Sequence, residues 1–168
     1  MAVLTITRRA VLLDAACIAA ACLIPALSHL TALPLYRLDP MLWIVAAALV
    51  ATSRHRLSLA NLVGVAVLMP FAASLLVGMP SLAKALCMSA ELVAFAVVAR
   101  ALLWRAANAP RRMLAVLAAV VASKAVYYGL KALILAPAAL VGVPVAVQAV
   151  VAVAVAVAVA LLLSNGRK

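Results

Sequence analysis

Acidic side chains are almost missing from this sequence. Its 168 residues contain three, Asp14, Asp39 and Glu91, against 14 lysines and arginines. A two-metal hydrolytic centre needs more carboxylates than that, and a pump relaying protons along a chain of acids is thinly equipped. Histidine occurs twice, at His29 and His55, and no HExxH is present, so no metal centre is expected. The three cysteines, Cys17, Cys22 and Cys87, lie in apolar runs. They show neither a zinc spacing nor a disulfide framework, and read as buried free thiols. There is no GxxxxGK[ST] phosphate loop and no GxSxG nucleophile turn. The expectation is a chain that is not an enzyme, needs no cofactor and hydrolyses no ATP by itself.

What is abundant is apolar surface. The chain is 71% hydrophobic, whereas a soluble domain is nearer half apolar. A single aqueous core cannot hide that much, so the lipid bilayer is the natural solvent. A spanning helix takes about 20 apolar residues, which makes the expected fold an all-α integral membrane bundle of six helices in one domain. The formal net charge of +11 does not indicate nucleic acid, because the basic residues punctuate apolar runs and form no continuous patch.

The spans are placed at about 11–30, 40–53, 57–77, 79–104, 113–136 and 139–163. The second is short for a full crossing. The last contains VAVAVAVAVALLL, whose alternation imitates a strand; its length decides for a helix, since open sheet edges are not tolerated in lipid. The opening TRRAVLLDAACIAAACLIPALS has the outline of a cleaved signal, but Asp14 interrupts its apolar stretch and five more segments follow, so a retained first span is expected. Charge tests the count. Arg8 and Arg9, then Arg54 and Arg56, then Arg105, Arg111 and Arg112, then Arg167 and Lys168 fall on one side only if all six segments cross. The opposite connections carry only Arg37, beside Asp39. Positive residues stay inside, so both termini are expected in the cytoplasm.

Four charges remain deep in spans: Lys84 and Glu91 on the fourth, Lys124 and Lys131 on the fifth. An ionised group at the bilayer centre costs at least about 2.5–3.5 kcal/mol and normally faces the bundle interior and a partner. Seven residues make two helical turns, so Lys124 and Lys131 share a face, with Tyr127 and Tyr128 beside it, and Lys84 and Glu91 share another. The two spans run antiparallel. At 1.5 Å per residue Glu91 and Lys124 both lie about 18 Å from the outer ends, and Lys84 and Lys131 about 7–8 Å. The inner rung can neutralise itself as an ion pair that fixes helix packing. The outer rung holds two cations and no carboxylate. Either these lysines snorkel to the surface, or an anionic ligand completes the rung against an aromatic wall.

Other polar residues carry weaker signals. Gln148 either caps a neighbouring backbone group or lines the site. Asp14 is expected to pair with a nearby arginine, and Trp43 and Trp104 to anchor at the interfaces. On the first span Ala15, Ala19, Cys22 and Ala26 recur at helical spacing and would let another helix approach closely.

Three stretches together resemble a known family. AACIAAAC is similar to the small-residue first helix, PSLAKALCMSAELVAFAVVARALL to the fourth, and ASKAVYYGLKALIL with GVPVAVQAVVAV to the last two helices of the substrate-binding membrane subunit (S-component) of energy-coupling factor (ECF) transporters. Where many relatives have Gly-Arg in the fifth helix, this chain has Ser123-Lys124, which keeps a cation and loses the forked guanidinium. The resemblance implies a multi-pass protein of the bacterial inner membrane that captures a vitamin or similar micronutrient from outside. It implies a site against the fourth to sixth helices, comprising Lys84, Glu91, Lys124, Tyr127, Tyr128, Lys131 and Gln148. It further implies a transmembrane coupling subunit docked through Ala15 and Ala19, and two cytoplasmic ATPases. The alternatives are a small proton-coupled carrier with Glu91 as the titrating group, or a membrane-embedded enzyme or assembly factor.

Overall fold

The computed structural model of the chain describes residues 8–31, 39–55, 58–135 and 145–165. All the secondary structure there is helical, in six helices: α1 (Arg8–Thr31), α2 (Pro40–His55), α3 (Leu59–Val77), α4 (Leu82–Arg105), α5 (Ala109–Leu135) and α6 (Val145–Asn165). The alternating tract is therefore a helix, as length and solvent required. Four of the six, α3 to α6, are long and apolar enough to cross a membrane. The apolar stretches Val11–Leu23 and Pro40–Ser53 are shorter.

Local chemistry sets the ends. Pro40 opens α2, where its missing N–H costs nothing and its fixed φ suits the first turn. Ser58 caps α3 by accepting the Asn61 N–H at 3.2 Å. That helix stops at Gly78, whose φ of +75° lies in the left-handed region glycine adopts without strain. Pro80 and Ser81 follow, so α4 begins at Leu82, three residues later than the apolar run suggests. At the other end α5 begins at Ala109, four residues before the apolar pattern starts, because Pro110 suits a first turn and the arginines after it are helical.

Helix α2 lies at the centre and packs on α1, α3, α4 and α6. Its Met41, Leu42, Val45, Ala46, Leu49 and Val50 are all buried, which explains how so short an apolar segment is used: its surroundings are other helices. Around it α3 packs on α1 and α4, and α5 on α4 and α6, with the α4–α5 interface the most extensive. In lipid such contacts are held by close packing rather than by expulsion of water. Buried Ala66, Ala73, Ala96, Ala99 and Ala119 let the backbones approach, while Phe95, Leu62, Met69 and Val116 fill the spaces between them. The outer surface stays apolar. Leu75, Leu76, Val121, Leu133 and Val150 are each more than two-thirds exposed, as suits side chains whose solvent is lipid.

Candidate functional site

The buried charges of α4 and α5 meet. Glu91 is buried on α4, and its Oε1 lies 2.6 Å from Lys124 Nζ on α5. Equal depth on antiparallel helices predicts this pair, and it is present. Glu91 Oε1 is fully shielded from solvent and is held by the Lys124 ammonium. The same ammonium, with three donors, also donates to Oδ2 of Asp39. One ammonium thus faces two carboxylates, one deep and one shallow.

Asp39 reaches the cluster because of where it stands. It is the residue before α2 and has a φ of +52°, in the left-handed region that Asp tolerates better than most side chains. Its backbone carbonyl accepts the N–H of Leu42 at 3.0 Å, which starts the helix. Its carboxylate turns away from α2 towards α5. From sequence, Asp39 stands beside Arg37 in an outer connection, with no partner assigned. The signal that points to it is scarcity: a chain with three acids and several deep lysines has few ways to pair them.

Along α5 the next turns carry the aromatic wall. Tyr127 and Tyr128 are half-buried and pack edge to face, centroids 5.3 Å apart. Lys124 Nζ lies 5.7 Å and Lys131 Nζ 5.8 Å from the centre of the Tyr127 ring, so one ring serves two ammonium groups. Lys131 is half-buried and Lys84 exposed. All three acidic side chains are engaged elsewhere: Asp39 and Glu91 with Lys124, and Asp14 with Asn61 at 2.7 Å. Among the described residues, Lys131 therefore has the face of Tyr127 and no carboxylate within ion-pair distance. The outer rung divides by environment, Lys84 turning to the surface and Lys131 staying beside the cluster. Gln148 sits half-buried near the start of α6 and makes no hydrogen bond to these residues. Ala15 and Ala19 are exposed on α1, while Cys22 is half-buried.

Three other polar contacts depart from the sequence reading. The partner of Asp14 is Asn61 on α3, whose amide donates to Oδ1, and not an arginine. Arg112, counted with an open basic connection, is buried; it donates to the carbonyls of Ala106 and Ala107 after α4 (3.4 Å each) and of Leu163 on α6 (3.1 Å). Arg100, not singled out from sequence, donates from α4 to Ser53 on α2 at 3.1 Å. Trp43 packs on the core, whereas Trp104 is exposed at the opposite end of the bundle. The side chains of His29 and His55 and residue Arg37 lie outside the described residues. Among the described residues no group of His, Cys, Asp and Glu is arranged to hold a metal ion.

Compared with known protein families, characterised proteins and solved structures, the chain matches none.

Proposed function

We propose that this chain is the membrane-embedded substrate-binding subunit of an ATP-driven micronutrient importer of the ECF type. In this reading all six helices cross the bacterial inner membrane with both termini in the cytoplasm, and a small anionic ligand is captured at the outer face. The observation that supports it best is the charge pattern between the start of α2, α4 and α5. Two ammonium groups flank one tyrosine ring, and the outer of them, Lys131, has no carboxylate of its own. A half-buried cation beside an aromatic wall is an incomplete site, and a ligand acid completes it. Lys131 is then the main contact, Lys124 the second, and Tyr127 and Tyr128 bound the ligand body. Glu91 holds Lys124 in place, Lys84 draws anions from the outer surface, and Gln148 sits across on α6. Ala15 and Ala19 form an exposed small-residue strip on α1, suited to docking a transmembrane coupling subunit. Two cytoplasmic ATPases would supply the energy that this chain has no motif to generate.

Native mass spectrometry of the gently purified protein tests the reading. It predicts a retained small molecule and association with a membrane subunit and ATPases, without turnover by the chain alone. Accumulation of substrate in vesicles by the isolated chain, driven by a proton gradient and abolished by Glu91→Gln, would instead establish a self-sufficient carrier.

A further inference from the structure

We propose that the junction of α2 and α4, at the end of the bundle where both helices finish, binds one anionic phospholipid, with its phosphodiester held by Arg100 and Ser53. This site lies at the opposite end of the bundle from Asp39, Lys124 and Lys131 and does not depend on what binds there.

The first argument is the missing counter-ion. The chain has three acidic side chains, and all are engaged, two with Lys124 and one with Asn61. Arg100 therefore has no acidic side chain of its own chain to pair with. Yet it is not in a connection: it stands half-buried within α4, five residues before the helix ends at Arg105. At 1.5 Å per residue that is about 7–8 Å from the helix end, a depth from which a long basic side chain reaches the headgroup layer. A cation so placed needs an anion to complete it.

The second argument is unspent hydrogen-bonding capacity. Arg112 shows how this chain satisfies a buried guanidinium without an acid: its Nε and both terminal nitrogens donate to the carbonyls of Ala106, Ala107 and Leu163. Arg100 instead makes one bond, from Nη1 to Ser53 Oγ at 3.1 Å, and among the described residues its remaining donors meet no acceptor. The serine repeats the pattern. Thr52, Ser123 and Ser164 each donate their hydroxyl proton to the carbonyl three residues earlier, the usual outlet inside a helix. Ser53 accepts from Arg100 and, among the described residues, gives its own proton to nothing. Guanidinium and hydroxyl together make a set of donors waiting for one acceptor-rich group.

The third argument selects the occupant. The forked guanidinium matches two oxygens of a phosphate, and the surroundings supply a place for the rest of a lipid. Val97 and Trp104, each within one turn of Arg100 on α4, are exposed, Trp104 almost wholly. A tryptophan there sits at headgroup level, while the apolar stretch below it suits an acyl chain. Arg105 and Arg111 are exposed at the same end, so anionic lipid gathers around it. An acid brought by a protein partner would satisfy the arginine and has no such use for the apolar surface beside it.

The test is native mass spectrometry of the full chain released from nanodiscs of equal phosphatidylglycerol and phosphatidylethanolamine. The wild type is expected to keep one phosphatidylglycerol at collision energies that strip the other lipids. Its mass and acyl fragments separate it from any small molecule held near Lys131. Losing a charge-assisted bond corresponds to roughly a tenfold fall in retention for Arg100→Gln, and losing a neutral one to about threefold for Ser53→Ala. Arg105→Gln, an exposed arginine one turn away, should keep the lipid. If Arg100→Gln loses helicity by circular dichroism, Ser53→Ala carries the comparison with Arg105→Gln. Equal retention of the two lipids by the wild type overturns the proposal. So does phosphatidylglycerol held as firmly by Arg100→Gln and Ser53→Ala as by the wild type, or lost equally from Arg105→Gln.

Discussion

Replacing Lys124 by methionine removes the one ammonium that two carboxylates share. The volume is nearly kept, so packing between α4 and α5 changes little and the electrostatic loss can be read by itself. Glu91, whose side chain is only 4% exposed, then lies against Asp39 with no cation beside it. Breaking a buried pair by removing one partner costs about 3–5 kcal/mol, mostly the penalty of the stranded charge. The Asp39 side chain, 20% exposed, escapes to water more easily and adds little. Lys124→Met is thus expected to lose about 3–5 kcal/mol in reversible unfolding from mixed micelles. Glu91→Gln in the same background should restore about half of that, because an amide strands no charge. The double-mutant cycle isolates the interaction from packing losses. A Lys124→Met protein as stable as the wild type, or losses that simply add, would refute the argument that this ion pair holds the two helices.

Further expectations follow from other contacts. Arg112→Ala frees three backbone carbonyls at the junction of α4, α5 and α6. It should cost about 2–4 kcal/mol in the same unfolding assay, and Arg112→Lys should recover little of it, since an ammonium lacks the planar fork. Asn61→Leu removes the donor to Asp14 and should lower stability by about 1–2 kcal/mol, while Asp14→Asn/Asn61→Asp, which exchanges the partners, should lose less. Ser89→Ala deletes the 3.1 Å bond from α4 to the Val67 carbonyl on α3; the loss should be about 0.6 kcal/mol, typical of such bonds in lipid. Gly78→Ala meets no steric neighbour, so any loss, about 1 kcal/mol, reports the backbone strain of a positive φ alone.

The parts of the site that sequence reveals are those governed by helical period. Glu91 and Lys124 sit in long regular spans, so rise per residue gives their depth and antiparallel packing makes them neighbours. Tyr127 and Lys131 follow by the same arithmetic. Asp39 obeys no period. It stands outside a helix, and only the fold shows that the start of α2 passes over Lys124. Arg112 is illegible for a related reason: flanking basic residues place it in a connection, but α5 starts earlier than its apolar pattern and carries the side chain inward to carbonyls just after α4 and on α6. The short α2 segment looks like a weak span because hydropathy measures exposure to lipid, whereas this helix is mostly enclosed by protein. Lys84 and Lys131 share a depth and differ in environment, which depends on helix rotation that depth does not record.

The central claim is that a cation left without an acid beside Tyr127 holds a small anion captured from outside. Native mass spectra of the wild type and of Lys131→Ala, purified side by side from the same membranes, test it most directly. The account predicts a bound small molecule on the wild type and its loss from the variant at equal helical content. An identical adduct on both proteins, or none on either, would contradict it.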